Sequence, residues 1–303
     1  MFEGLTVAMA TPFRAGEVDL EATGRLVEFL LAGGVEGLVV SGSTGEAATC
    51  TVEERRTLWR FVRERVRGQV PVVAGTGTNC TAESITLTQI AEEIGLDGVM
   101  LVTPYYNRPT SRGQIAHFGA VARATRLPVI LYNVPGRTAT NTLPETFERL
   151  QALPNVAAIK EASGSLDQAS AIRARVRMTL LSGDDSLTLP MIAIGAKGVI
   201  SVAGNVAPRE MRTLCDLARA GRKDEAEEVH RRLLPLFKAL FLESNPAPVK
   251  YLLSALGLIE NELRLPLVPV ELATEGAIRD AARAMGLALA QARPAPATAS
   301  ARA

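Results

Sequence analysis

The sequence predicts an α/β fold: a TIM (β/α)8 barrel with a C-terminal helical extension. Three observations carry this. Eight short apolar runs recur through roughly the first 220 residues, and longer amphipathic segments separate them. The runs are near-continuously apolar rather than alternating, which is how parallel strands covered on both faces read. Every interval is long enough for a crossover helix, and the count reaches eight, which favours a closed barrel over a doubly wound open sheet.

In order, the strand candidates are "LTVAMATPF" (5–13), "GLVVSG" (37–42), "VPVVAGTG" (70–77), "GVMLVTP" (98–104), "LPVILYNVP" (127–135), "VAAIKEASG" (156–164), "MTLLSG" (178–183) and "GVISVAGN" (198–205). Helices are expected over 19–34, 51–68, 81–95 and 111–125; the second opens on a threonine cap with a glutamate nearby. Strand signals stop after residue 206, and 223–242 reads as a helix packed on the barrel. The expected organisation is a barrel over 1–222, a helical region over 223–290 and an Ala/Pro/Ser-rich disordered tail over 291–303.

Composition limits the function. Net charge is +1 over 303 residues, so nothing points to nucleic acid or an anionic membrane surface. Three isolated cysteines (Cys50, Cys80, Cys215) form neither a disulfide framework nor a metal-ligand pattern, and the two histidines lie far apart. No metal and no cofactor is expected. The N-terminus lacks a targeting pattern and no window of 18 apolar residues occurs, so a cytoplasmic protein is expected.

Barrel chemistry gathers at the carboxyl ends of strands. There the sequence places Ser43-Thr44-Gly45-Glu46, Tyr105-Tyr106-Asn107, Tyr132-Asn133 with Arg137 beyond, and Lys160-Glu161. Three of the four tyrosines sit at such ends. The chain has five lysines against 28 arginines, yet it sets Lys160 at the end of a buried strand. Lys160 could pair with a carboxylate. It could also be a Schiff-base nucleophile, since an amine condenses with a ketone and a guanidinium does not. Apolar burial would favour the neutral amine this needs. Tyr132 reads as a core tyrosine or, one strand from such a lysine, as a proton shuttle. Tyr105-Tyr106 could be an interface pair. "GSTGE" resembles an anion-binding loop, and "SGDD" (182–185) reads as a helix cap in preference to a metal site.

The ordered set "GSTGE", "TPYYNRPT", "LYNVPGRT", "IKEASG", "SGDD", "GVISV", "NPAPVK" and "LRLP" resembles the dihydrodipicolinate synthase branch of the pyruvate-dependent class I aldolases, from residue 5 to about 268. The resemblance implies that Lys160 forms an imine with pyruvate, and that the resulting enamine condenses with L-aspartate 4-semialdehyde on the route to diaminopimelate and lysine. It casts Tyr132, Thr44 and Tyr106 as a proton relay, with Tyr106 donated by a neighbouring subunit of a homotetramer built from two tight dimers. Amides around Thr44 and Gly45 would hold the pyruvate carboxylate, Gly183 and Ile200 would line the site, and Arg137 would hold the second substrate. Relatives acting on sugar acids or N-acetylneuraminate carry a small residue at the Arg137 position. Ser43, where the synthases usually have threonine, keeps such a lyase of a longer 2-keto acid as the alternative. Asn79, Glu83 and Tyr105 match positions that bind lysine in regulated members. Val52 and Arg55 replace the histidines often found nearby, so weak or absent lysine inhibition is expected.

Overall fold

The computed structural model describes residues 2–289; the tail expected over 291–303 lies outside them. Eight parallel strands close into a barrel: Gly4–Ala8, Gly37–Val40, Val72–Gly75, Gly98–Val102, Val129–Asn133, Val156–Glu161, Thr179–Ser182 and Gly198–Ser201. Each pairs with its sequence neighbours and the eighth with the first, so every expected run supplies one barrel strand.

The continuous apolar reading has a two-sided cause. Residues alternate between the barrel interior and the helix layer. Ala8, Val39, Val73, Met100, Ile130, Ala158, Leu181 and Ile200 fill the interior. Val7, Leu38, Val72, Val99, Leu131, Ile159, Leu180 and Val199 pack outward against the helices. Both sets are removed from water, so neither face called for polar residues.

The helices start where caps allow. Asp19 caps Leu20–Ala32 through Ala22 N–H. Thr51 and Glu54 form a reciprocal capping box at the head of Val52–Val66. Thr81–Ile94 and Ser111–Arg123 follow as expected. Lys223–Ala239, Ala247–Ala255 and Leu272–Ala284 make up the C-terminal helices. His230, on Lys223–Ala239, is half-buried with its ring 6.0 Å from that of Phe237. One element gave no sequence signal: a hairpin of two residues a side, Phe13–Arg14 with Glu17–Val18, between the first strand and first helix. Among the described residues, no helix is long and apolar enough to cross a membrane.

Candidate active site

The fifth and sixth strands run side by side with Tyr132 opposite Lys160 and Asn133 opposite Glu161. Alternation then sorts them. Tyr132 belongs to the interior cluster, and its ring centroid lies 4.2 Å from Lys160 Nζ. Asn133 and Glu161 share the other parity and bind one another outside the barrel. Asn133 Nδ2 donates to Glu161 Oε2 at 3.1 Å and to Asn141 Oδ1 at 2.8 Å. Gln168 Nε2 donates to Glu161 Oε2 at 3.2 Å, and Ser163 N–H donates to Glu161 Oε1 at 2.7 Å. This buried carboxylate, satisfied by neutral donors, holds the two strand ends to the head of Leu166–Arg175.

Lys160 is 4% exposed and burial brings its pKa down to about 8; Asp184 and Asp185 oppose the shift and Arg137 adds to it. Tyr132 is shifted the other way, well above the usual phenol range, chiefly by burial. The pair is therefore an amine that is readily neutral beside a phenol that keeps its proton.

Gly183 makes room for the amine. A Cβ there would meet Ala162 Cβ at 2.6 Å and Lys160 Cε at 3.1 Å. The next residue, Asp184, has its carboxyl raised to about 6 by burial, against the pull of Lys160. The "SGDD" carboxylates do not cap their own turn. Asp185 instead accepts from Ser201 Oγ at 2.5 Å and from the Val202 and Ala203 amides, fixing the turn after the eighth strand. Ile200 on that strand is fully buried in the interior cluster.

A cavity of about 380 Å³ opens over this end and reaches Tyr132, Arg137, Ser43, Tyr105 and Asn245. Ser43 is exposed and Thr44 buried. The Gly45 amide donates to Gly42 O at 3.1 Å, whereas the Thr44 amide donates to no group among the described residues. Thr44 Oγ1 accepts from Asn245 Nδ2 at 3.0 Å rather than from Tyr132. Asn245 O in turn accepts from Arg137 Nη2 at 2.9 Å. Asn245 thus links two expected site residues, and sequence reasoning overlooked it. The signal was available in the quoted "NPAPVK", which carries Asn245 more than 100 residues from its partners.

Tyr106 lies apart. It is 89% exposed, with φ +70°, and does not line the cavity. Of the three expected regulatory residues, Tyr105 lines the cavity while Asn79 and Glu83 do not. Asn79 O accepts from Asn107 Nδ2 at 2.8 Å.

Known proteins resemble this chain in sequence and in fold. A model of the Dihydrodipicolinate synthetase family matches residues 1–285. The 4-hydroxy-tetrahydrodipicolinate synthase of Geobacter metallireducens is 50% identical over 272 residues, 89% of this chain and 94% of that one. The crystal structure of dihydrodipicolinate synthase from Aquifex aeolicus superposes with a TM-score of 0.94 at 45% identity, covering 96% of this chain and all of the other. A lysine-bound dihydrodipicolinate synthase from Cyanidioschyzon merolae gives 0.92 at 40%, covering 95% of this chain and 99% of the other. Half-identity across nine-tenths of the sequence and a matching closed barrel lead to one assignment: the chain belongs to the dihydrodipicolinate synthetase family.

Proposed function

We propose that the protein condenses pyruvate with L-aspartate 4-semialdehyde, as the names of its relatives indicate. The observation that carries this reading is Lys160: a buried amine of lowered pKa at a strand's carboxyl end, over the ring of Tyr132. Neutral Nζ attacks the keto carbon of pyruvate, and the carbonyl oxygen leaves as water to give an imine. Loss of a methyl proton yields the enamine, which forms a carbon–carbon bond to the aldehyde carbon. The amine of the second substrate then attacks the imine carbon, closes the ring and releases Lys160. Tyr132, protonated at neutral pH, serves the proton transfers, and Thr44, positioned by Asn245, extends the relay.

Arg137, aimed by Asn245 O, holds the carboxylate of the semialdehyde in this reading. Arg137→Ala is expected to lower kcat/KM for aspartate semialdehyde by about 10- to 100-fold, the scale of a charge-assisted hydrogen bond. Its effect on trapping the pyruvate imine is expected to be smaller. A coupled assay with both substrates measures the first and cyanoborohydride trapping the second. Unchanged kinetics with the semialdehyde would point instead to a longer 2-keto acid.

Tyr106 of this chain is solvent-exposed whereas Tyr132 is buried, so the reading takes Tyr106 from a second copy, in a tetramer built from two tight dimers. Support comes from the solvent-facing ring and the left-handed backbone that presents it, a conformation costly for a residue with a Cβ. Co-expression of Lys160→Ala with Tyr106→Phe tests it. A mixed dimer regains one site with both groups, so random pairing is expected to restore about a quarter of wild-type activity. Recovery no greater than the sum of the two variants alone would show that each chain supplies its own tyrosine.

A further inference from the structure

The cavity also holds a cation that the condensation leaves unused. Besides the residues already described, Ala48, Thr49, Thr78 and Arg55 line it. Arg55 is 7% exposed. Its Nη2 donates to Ala47 O, but Nε, itself buried, has no hydrogen-bond partner among the described residues. No carboxylate among them lies within ion-pair distance of this guanidinium. Glu46, the acid on the same cavity wall, is already engaged: Oε1 accepts from Lys250 Nζ at 2.5 Å and Oε2 from the Arg264 amide at 3.1 Å.

The contrast with the other buried cations is chemical. Lys250 has Glu46, and Lys160 can shed its proton. A guanidinium stays charged, so burial leaves Arg55 needing an acceptor that matches its planar edge. Buried charge without a counter-ion is costly, and a nine-tenths buried guanidinium in a cavity wall marks where an anion lowers that cost.

We propose that Arg55 anchors a second small-anion site in this cavity, taking a carboxylate or phosphate oxyanion and separate from the carboxylate assigned to Arg137. The resemblance places lysine beside Tyr105; a fixed positive charge at Arg55 disfavours an amine there and favours the opposite sign of ligand. The site lies along the Ala47–Thr49 segment that follows Thr44 and Gly45 in the chain.

The test measures binding without turnover, so it stands or fails independently of the condensation. The full chain carrying Lys160→Ala and Arg137→Ala, which removes the amine and the other cavity guanidinium, is titrated calorimetrically with succinate and with inorganic phosphate at constant ionic strength. At least one of them is expected to bind once per chain, and the tighter identifies the oxyanion. Adding Arg55→Gln is expected to weaken it by about tenfold or more, the worth of a charge-assisted hydrogen bond. Arg55→Lys, which keeps charge but loses the planar fork, is expected to fall between. No binding of either anion below about 10 mM, or equal affinity in Arg55→Gln, overturns the proposal. If Arg55→Gln does not fold, unchanged affinity in Arg55→Lys overturns it equally.

Discussion

Lys160→Ala is expected to cut condensation by roughly 10⁴-fold or more and to abolish the mass that cyanoborohydride and pyruvate add to the protein. Lys160→Arg should fail equally, because a guanidinium retains the charge and does not form the imine. In the wild type, the rate of trapping is expected to follow the neutral amine. Its pKa is brought down by burial to about 8, so the rate rises as pH increases through 7 and levels above 8. An ordinary exposed lysine would keep rising past pH 9. A trapping rate without that inflection, or an adduct that survives Lys160→Ala, contradicts the assignment. Stability supplies an independent readout. The unfolded lysine binds its proton up to about pH 10.5 and the folded one only up to about 8. The burial penalty, about 3 kcal/mol, is therefore fully present below pH 8. It disappears as pH rises from 8 towards 10.5. Lys160→Met, which keeps the bulk without the charge, should be more stable than the wild type by up to that amount at pH 7, an instance of a group retained for function at a cost to the fold. Urea unfolding at pH 7 measures it, and a destabilised Lys160→Met would contradict the electrostatic account.

What the sequence disclosed and what it concealed follow from the same geometry. The eight strands were legible because interior and outer residues alike are apolar, so each strand appears as an unbroken run. Lys160 and Tyr132 were legible because they break those runs at the same end of neighbouring strands. Glu161 and Asn133 break them too, and a polar residue at a strand end does not by itself announce its direction. Strict alternation from Ala158 assigns Lys160 to the interior and Glu161 to the helix layer, and the network around Glu161 bears this out. The hairpin Phe13–Val18 left no trace because two residues a side generate no periodicity. Glu46 looked like part of an anion-binding loop, yet its carboxylate faces Lys250, 204 residues later in the chain. Contacts of that range leave no local pattern, and for the same reason Asn245 escaped notice.

That Glu46–Lys250 pair underlies the largest expected change in stability. Both side chains are completely buried, with Nζ 2.5 Å from Oε1. Burial lowers the Lys250 pKa, and Glu46 works against that shift. Nζ also lies 4.3 Å from the centroid of the Phe13 ring, on whose hairpin Arg264 also rests. Lys250→Met removes one partner and leaves a buried carboxylate with only the Arg264 amide, so it is expected to destabilise the fold by about 3–5 kcal/mol in chemical denaturation. The double variant Glu46→Gln/Lys250→Met removes both charges and is expected to recover most of that loss, because the cost lies in the unpaired ion more than in the missing attraction. Losses that merely add in the double variant would show that the two side chains are not energetically coupled. The activity of the double variant carries further information. Glu46 sits at φ +50°, two residues after Thr44, and the pair joins this loop to the helix Ala247–Ala255 that begins two residues after Asn245. Since Asn245 also holds Thr44 and Arg137, charge removal that restores stability is expected to leave kcat below wild type. The ion pair fixes where the loop stands against the helix, and a neutral substitute of similar volume packs the space without fixing that register.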